Sequence, residues 1–139
     1  MTFYFDGSKT QEGSGDGCIL IHLQQNIHLI SCHLEFECTN NVTEYEALIL
    51  GLNKSIDLKV EALKAIGESE IVTRWVRNTI HCVSPNLKNY QQEVWHLISH
   101  FQDFNINYVP QIRNVTTDTL ANVVARLSPL KYVLSVEII

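Results

Sequence analysis

Basic residues are scarce in this sequence: 10 Lys and Arg stand against 15 Asp and Glu, which gives a formal net charge of −5. A net negative protein does not attract a polyanion through its overall field, so composition alone argues against a nucleic-acid binder. The acidic excess is uneven, however. Residues 1–48 contain seven acids and one base, whereas residues 49–139 contain eight acids and nine bases. The argument from charge therefore applies mainly to the first third of the chain.

Long apolar runs and paired cysteine motifs are also missing. No apolar run approaches the ~20 residues that a helix needs to cross a bilayer, so no membrane partner is expected. The four cysteines show no CxxC spacing, which favours reduced thiols and an intracellular protein, cytoplasmic or nuclear. At 139 residues, the chain suits one domain with its own core and is too short for two domains with a linker.

The order of hydrophobic periods predicts the fold class. Strand-like runs at residues 2–5, 18–23 and 27–36, with a Gly-rich turn at 13–17, predict an antiparallel meander. Helical periodicity then begins at residue 42, and further strands at 63–66 and 106–109 alternate with helices near 71–76, 87–101 and 115–127. This order predicts an α/β fold with a five-stranded mixed sheet, three antiparallel then two parallel strands, flanked by about four helices.

The domain is expected to cover residues 1–128. Residues 129–139 are apolar and strand-like, and they do not follow from the rest of the pattern. They are interpreted as a C-terminal tail, with an edge strand, a docked segment or the start of a linker as open alternatives.

Four acids stand at the ends of predicted elements. Asp6 ends the first strand, Glu44 lies in the first turn of a helix, Glu68 follows the fourth strand, and Asp118 opens the last helix. Acids at helix N-termini commonly cap free amides and complement the helix dipole. Asn41 with Glu44 also has the spacing of a capping box. Taken singly, these acids have ordinary structural interpretations.

Together with their neighbours, the acids resemble a known family. Residues 5–8, Phe-Asp-Gly-Ser, followed by a Gly-containing hairpin, look like the opening of type 1 ribonuclease H. Residues 39–48 are similar to its TNN-x-x-E-x-x-A helix start, and residues 67–69, Gly-Glu-Ser, stand where the family has Gly-Asp-Ser. Residues 109–114 and 118–122 resemble its V-P-x-x-x-N…A-D-x-L-A block. The motif sequences most resemble those of ribonuclease H domains of plant gypsy-type LTR retrotransposon polyproteins.

The resemblance implies a ribonuclease H-like fold and a metal-dependent endonuclease that hydrolyses the RNA strand of RNA/DNA hybrids, leaving 5′-phosphate and 3′-hydroxyl ends. In this family carboxylates hold two Mg²⁺ ions about 3.5–4 Å apart, and Mn²⁺ can substitute. By resemblance, Asp6 bridges both ions and Asp118 holds the ion that activates water. Glu44 and Glu68 hold the ion that stabilises the leaving 3′ oxygen.

The resemblance also implies contacts with the hybrid. Asn40 and the backbone around Ser8 would contact the RNA strand, and Thr39 would seat a DNA phosphate. Asn41 belongs to the same motif, although helix capping is the plain alternative for both asparagines. Arg113 lies in a loop where many relatives carry His, and it could contact phosphate. The implied partners are the RNA/DNA hybrid and adjacent reverse transcriptase and integrase domains.

Glu68 departs from the family, which has Asp at this position. The additional methylene moves the carboxylate by over an ångström, in a site where a misplacement of ~1 Å can cost ~100-fold in rate. One interpretation is an attenuated endonuclease. The alternative is a weakened or inactive domain that serves as a hybrid-binding or structural module. Another nuclease of the same superfold is a third option, which the motif at residues 39–44 disfavours.

A second set of possible ligands lies on the third predicted helix. His96 and His100 are four residues apart, which is a spacing that can hold a metal ion. Exposed surface residues are the ordinary interpretation of such a pair.

Overall fold

The computed structural model of the protein describes the backbone of residues 1–10, 13–21, 27–34, 40–109 and 134–138, and the side chains of residues 1–5 and 41–109. Its strands are β1 (Thr2–Thr10), β2 (Gly13–Ile21), β3 (Ile27–Leu34), β4 (Ala62–Gly67), β5 (Asp103–Tyr108) and β6 (Leu134–Ile138). Its helices are α1 (Asn40–Asp57), α2 (Glu70–Val76) and α3 (Pro85–Ile98).

The strands form one mixed sheet in the order β5-β4-β1-β2-β3-β6. β1, β2 and β3 make an antiparallel meander, and β4 pairs parallel to β1 on one side and to β5 on the other. α1 is the crossover that connects β3 to β4, which run in the same direction with β2 and β1 between them in the sheet. The predicted arrangement of antiparallel and parallel strands is therefore observed.

Two details of the sheet differ from the sequence-based expectation. The described sheet has six strands and not five, because Leu134–Ile138 pairs in parallel with β3 at the edge. Residues 13–17, expected to be a turn, are instead the first half of β2, where Gly17 pairs with Asp6 and Gly13 with Thr10. Glycine weakens strands without forbidding extended backbone, so a partner strand can override the turn signal. The fourth predicted helix, 115–127, lies outside the described residues.

The main core lies between β1 and α1. Phe3 and Phe5 are fully buried, as alternation along a strand requires of residues on one face. On α1, Tyr45, Leu48 and Leu52 recur at helical spacing and are also fully buried. The predicted apolar stripe of α1 is thus the face that packs on the sheet.

α2 and α3 pack against each other through hydrogen bonds as well as apolar contacts. The buried Gln91 amide donates to the Trp75 carbonyl oxygen at 2.6 Å, and the Trp95 indole donates to the Val76 carbonyl oxygen at 2.9 Å. The last carbonyls of a helix lack intrahelical partners, so these two side chains of α3 cap the C-terminal end of α2. None of the described helices is long and apolar enough to cross a bilayer.

Candidate active site

The carboxyl ends of β1 and β4 bring two of the predicted acids together. The two strands are parallel, and their last paired residues are Phe5 and Gly67. The next residues are Asp6 on β1 and Glu68 after β4, so they follow neighbouring strands about 4.8 Å apart at the same end of the sheet. The expectation that Asp6 ends its strand is wrong, because β1 continues to Thr10 by pairing with β2 alone. Asp6 therefore stands where β1 loses β4 as a neighbour.

Glu68 is held between two residues with fixed backbone positions. Before it, the Gly67 carbonyl oxygen accepts a hydrogen bond from the Val109 amide at 2.8 Å. After it, Ser69 caps α2 by accepting the Val72 amide at 3.2 Å through its hydroxyl. The residue between a strand end and a helix cap has little backbone freedom, so Glu68 is presented from a rigid position.

A close contact locks β1 to β4 at the level of the two acids. The Phe5 ring occupies the space where a side chain at Gly67 would begin: an added Cβ would lie 2.7 Å from Cε2 and 2.9 Å from Cε1 of Phe5. Real Cβ atoms do not approach ring carbons so closely, and only glycine allows this packing. Sequence reasoning assigned Gly67 to a motif but gave no sign of its contact with Phe5.

Glu44 reaches the same end of the sheet from α1. α1 ends at Asp57, and after four intervening residues the chain enters β4 at Ala62. The Ala62 carbonyl oxygen accepts a hydrogen bond from the Met1 amino group. The C-terminal end of α1 therefore lies at the amino ends of β1 and β4, and α1 runs antiparallel to both strands. Its N-terminal part, with Glu44, lies toward the carboxyl ends.

Distances along the elements agree with this placement. An added Cβ on Gly51 of α1 would lie 2.8 Å from Cδ2 of Phe3, so these two residues are in register. Glu44 lies seven residues earlier on the helix, about 10 Å away, and Asp6 lies three residues later on the strand, also about 10 Å away. The backbone thus brings Asp6, Glu44 and Glu68 to the same end of the sheet, where β1 and β4 have their carboxyl ends.

Two expectations about the start of α1 need correction. The helix begins at Asn40, so Asn41 is inside it and is not the N-cap residue. Glu44 is accordingly the fifth residue of the helix and lies beyond the first turn, which contains no acid. Glu44 is also buried, with 6% of its surface exposed, and a charged carboxylate is seldom buried unless a partner or a cation compensates its lost hydration.

The other predicted site residues are described in part or not at all. Ser8 lies on β1 opposite Gly15, and Asn40 is the first residue of α1. Thr39, Arg113 and Asp118 lie outside the described residues. No three His, Cys, Asp or Glu side chains come together as a metal site among the residues that the structure describes. The four-carboxylate set cannot be assembled from them, since it includes Asp118.

An aromatic stack supports the part of α1 that carries Glu44. The Tyr45 ring lies nearly parallel to Trp75 of α2 and to Tyr90 of α3, with ring centroids 6.3 Å and 5.6 Å apart. The Tyr90 hydroxyl donates to Oε1 of Glu46 at 2.7 Å. Sequence patterns did not predict this stack, because stacking between helices has no local signal.

The Tyr45 hydroxyl is an exception to the usual pairing of buried polar groups. It is fully buried and has no hydrogen-bond partner within the described part of the chain. Burial raises the pKa of the Tyr45 phenol far above its ordinary value, and the nearby Cys82 raises it further. The phenol is therefore neutral, and no hydrogen bond to the described residues offsets the desolvation of its hydroxyl.

Two of the arginines are engaged within the fold. Arg74 forms an exposed ion pair with Glu70 at 2.6 Å on α2. Arg77 donates to the Ile106 carbonyl oxygen and to the Asn107 side-chain oxygen, which ties the end of α2 to β5. A helix-to-strand bond of this kind is a structural role for Arg77.

Comparisons with known proteins agree with this architecture. The family model described as reverse transcriptase-like matches residues 4–124. Ribonuclease HI of Halobacterium salinarum is 30% identical over 129 residues, which cover 86% of this chain and 61% of that protein. The chain thus spans about three fifths of the length of this curated relative.

Two solved structures share the fold. The structure of ribonuclease H1 from the same archaeon superimposes with a TM-score of 0.75 at 25% identity, covering 86% of this chain and 92% of that one. A compost-derived ribonuclease H1 in complex with an RNA/DNA hybrid gives a TM-score of 0.71 at 24% identity, covering 86% of this chain and 91% of that one. The fold and the sequence match define a ribonuclease H-like domain. The chain belongs to the reverse transcriptase-like family.

Proposed function

We propose that this protein is an endonuclease that hydrolyses the RNA strand of RNA/DNA hybrids, leaving 5′-phosphate and 3′-hydroxyl ends. The observation that carries the proposal is the parallel register of Phe5 with Gly67, after which Asp6 and Glu68 follow on neighbouring strands. The direction of α1 supports the proposal further, because the end of the helix that carries Glu44 lies toward the carboxyl ends of β1 and β4. Carboxylates gathered at the carboxyl ends of parallel strands are suited to divalent-ion chemistry.

The donor set fits magnesium. Carboxylate oxygens are hard ligands, which Mg²⁺ prefers and Mn²⁺ accepts. In the proposed site Asp6, Glu44, Glu68 and Asp118 would hold two such ions. When bound, two divalent ions lower the pKa of the attacking water and stabilise the charge that develops on the leaving oxygen.

The chain's own residues then orient the substrate. Asn40, Asn41 and the backbone at Ser8 bind the RNA strand and sense its 2′-hydroxyls, which distinguish RNA from DNA. Thr39 and Arg113 bind backbone phosphates, since hydroxyl and guanidinium groups suit phosphate oxygens. Selectivity for a hybrid follows if one strand is recognised by its hydroxyls and the other by its phosphate path.

The setting we propose is a retrotransposon polyprotein of the plant gypsy type. Residues 1–128 would carry the nuclease there, and the tail at 129–139 would complete its sheet through the edge strand Leu134–Ile138. Reverse transcriptase and integrase domains are then the neighbours, and the hybrid made during reverse transcription is the substrate. Such a polyprotein works in the cytoplasm or the nucleus.

One observation favours a second function. Glu68 replaces the shorter Asp of the family motif, and its backbone is held on both sides by the Gly67 and Ser69 hydrogen bonds. Because the backbone is rigid, it cannot shift to compensate for the longer side chain. The carboxylate of Glu68 therefore lies at a different position from that of the Asp in the family motif. In that case the domain binds or organises the hybrid with little or no cleavage.

A substrate panel tests the proposed function. The protein is incubated with a labelled RNA/DNA hybrid, single-stranded RNA and duplex RNA, in Mg²⁺ and separately in Mn²⁺. We expect cleavage of the hybrid alone and its loss in Asp6→Asn. Asp57→Asn, which changes an exposed acid at the far end of α1, is the matched control and should cleave normally.

The outcomes separate the three candidates. Hybrid binding without cleavage in either metal supports the structural module. Cleavage of single-stranded or duplex RNA at a comparable rate supports a different nuclease of the same fold. Equal activity in Asp6→Asn and the wild-type protein contradicts the proposed site.

A further inference from the structure

The C-terminal end of α3 carries two histidines whose side chains meet. His96 lies in the last turn of the helix and His100 just beyond the C-cap residue Ser99. Their ring centroids are 5.4 Å apart and their planes are at 89°. Both side chains are exposed, so solutes can reach the pair.

The surroundings of His100 determine which ring nitrogen is available. Its Nδ1 lies 3.2 Å from the carbonyl oxygens of both His96 and Leu97. Carbonyl oxygens only accept hydrogen bonds, so Nδ1 carries the proton and donates it. Nε2, on the opposite side of the ring, therefore keeps its lone pair. Metal-binding histidines use this arrangement, in which a backbone carbonyl fixes the tautomer and the other nitrogen binds the ion.

The electrostatic setting also favours a cation. The last carbonyls of a helix carry the negative end of its dipole, and both histidines lie at that end of α3. A bound ion would be near these carbonyls and would bridge the last turn to the residue that follows the cap. The acids at the carboxyl ends of β1 and β4 take no part in this site.

We propose that His96 and His100 form a surface site for a divalent transition ion of the zinc, nickel and copper class. Imidazole nitrogen suits these ions and is a poor ligand for Mg²⁺. No third His, Cys, Asp or Glu side chain joins the pair among the described residues. The site is thus open, and a bound ion clamps the C-terminal turn of α3.

Zinc titration of the full-length chain tests the proposal, followed through the histidine ring signals in NMR spectra. Saturating Mg²⁺ is present throughout, so that carboxylates with affinity for divalent ions are already occupied. We expect the His96 and His100 signals to shift together and to saturate at one ion per chain. Two rings on one ion act as a chelate, so His96→Gln and His100→Gln should each weaken binding at least about tenfold.

His81→Gln is the matched control, because His81 is exposed and lies outside the pair. It should bind zinc as the wild-type chain does. Unchanged affinity in His96→Gln, a shift of one ring alone, or no shift at millimolar zinc would each overturn the proposal. Circular dichroism of the variants confirms that they are folded. The result does not depend on nuclease activity, so it stands or falls separately from the proposed function.

Discussion

At the residue scale, the sequence identified acids and missed what holds them. Asp6, Glu44 and Glu68 were predicted from motifs, and their backbone positions lie at the same end of the sheet. The contact of Phe5 with Gly67 and the burial of Glu44 were not predicted, because each depends on residues distant in sequence. Short sequence motifs predict which chemical groups a site contains, but they do not predict the long-range packing that orients those groups.

Glu68→Asp is the most informative change at the proposed site. Because the backbone on both sides of Glu68 is fixed, the shorter side chain should return the carboxylate to the position that the family motif implies. We expect a higher rate of hybrid cleavage in Mg²⁺, measured under single-turnover conditions. An unchanged or lower rate in the Asp variant would show that Glu68 does not attenuate the enzyme.

Tyr45→Phe tests the buried hydroxyl that has no hydrogen-bond partner among the described residues. Removing this hydroxyl eliminates its desolvation cost, so the free energy of unfolding should rise by about 1 kcal/mol in urea titrations. Tyr90→Phe is the matched control: it breaks the bond to Glu46 and should lower stability by about 0.5–1.5 kcal/mol. Equal effects of the two changes would contradict this assignment.

The same tyrosine has a consequence for stability at high pH. The pKa of Tyr45 is raised in the folded state, so above the ordinary phenol value of about 10 the unfolded state binds fewer protons than the folded one. Stability is therefore complete below that pH and falls as pH rises beyond it. Alkaline unfolding of Tyr45→Phe, followed by circular dichroism, should begin at higher pH than that of the wild-type protein.

At the element scale, periodicity predicted most of the fold. The helical periodicity that begins at residue 42 predicted α1, and Tyr45, Leu48 and Leu52 are on its buried face. α3 was predicted near residues 87–101, and the structure adds Ser84 as its N-cap. Failures occurred where pairing overrides local preference. Residues 13–17 contain three glycines yet extend β2, and β6 depends on a strand more than 100 residues away. Such long-range pairings have no signature in a short sequence window.

Two glycine–phenylalanine contacts give a matched test of how the sheet supports the site. Gly67→Ala and Gly51→Ala both force a new Cβ against a buried ring, Phe5 in one case and Phe3 in the other. Each should lower the free energy of unfolding by about 1–3 kcal/mol. Only Gly67 adjoins the acids, so only Gly67→Ala should lower the hybrid-cleavage rate, by about tenfold to 100-fold.

Stability is measured by urea unfolding, and cleavage rates are measured well below the unfolding transition. Similar losses of activity in the two variants would show that general loosening of the sheet, and not displacement of Asp6 and Glu68, explains the effect. Full activity in Gly67→Ala would show that the contact with Phe5 does not position the site.

At the scale of the whole molecule, the net negative charge is compatible with nucleic-acid binding if part of it is neutralised by bound metal ions. The net charge of −5 argued against binding a polyanion, and the excess of acids lies in residues 1–48, which include Asp6 and Glu44. Two divalent ions at the proposed site would reduce the net charge to −1. Arg74 and Arg77 are meanwhile bound within the fold. Phosphate is then attracted mainly by the bound ions, and hybrid binding should depend strongly on divalent cations.

The most direct test of the central claim is a strand-labelled cleavage assay with analysis of the product ends. The RNA and DNA strands of one hybrid carry different labels, and the reaction is run in Mg²⁺ with and without a chelator. The proposed function predicts that only the RNA strand is cut, that the new ends are 5′-phosphate and 3′-hydroxyl, and that the chelator stops the reaction. Cleavage of the DNA strand, or 2′,3′-cyclic phosphate ends from attack by the RNA's own 2′-hydroxyl, would contradict it.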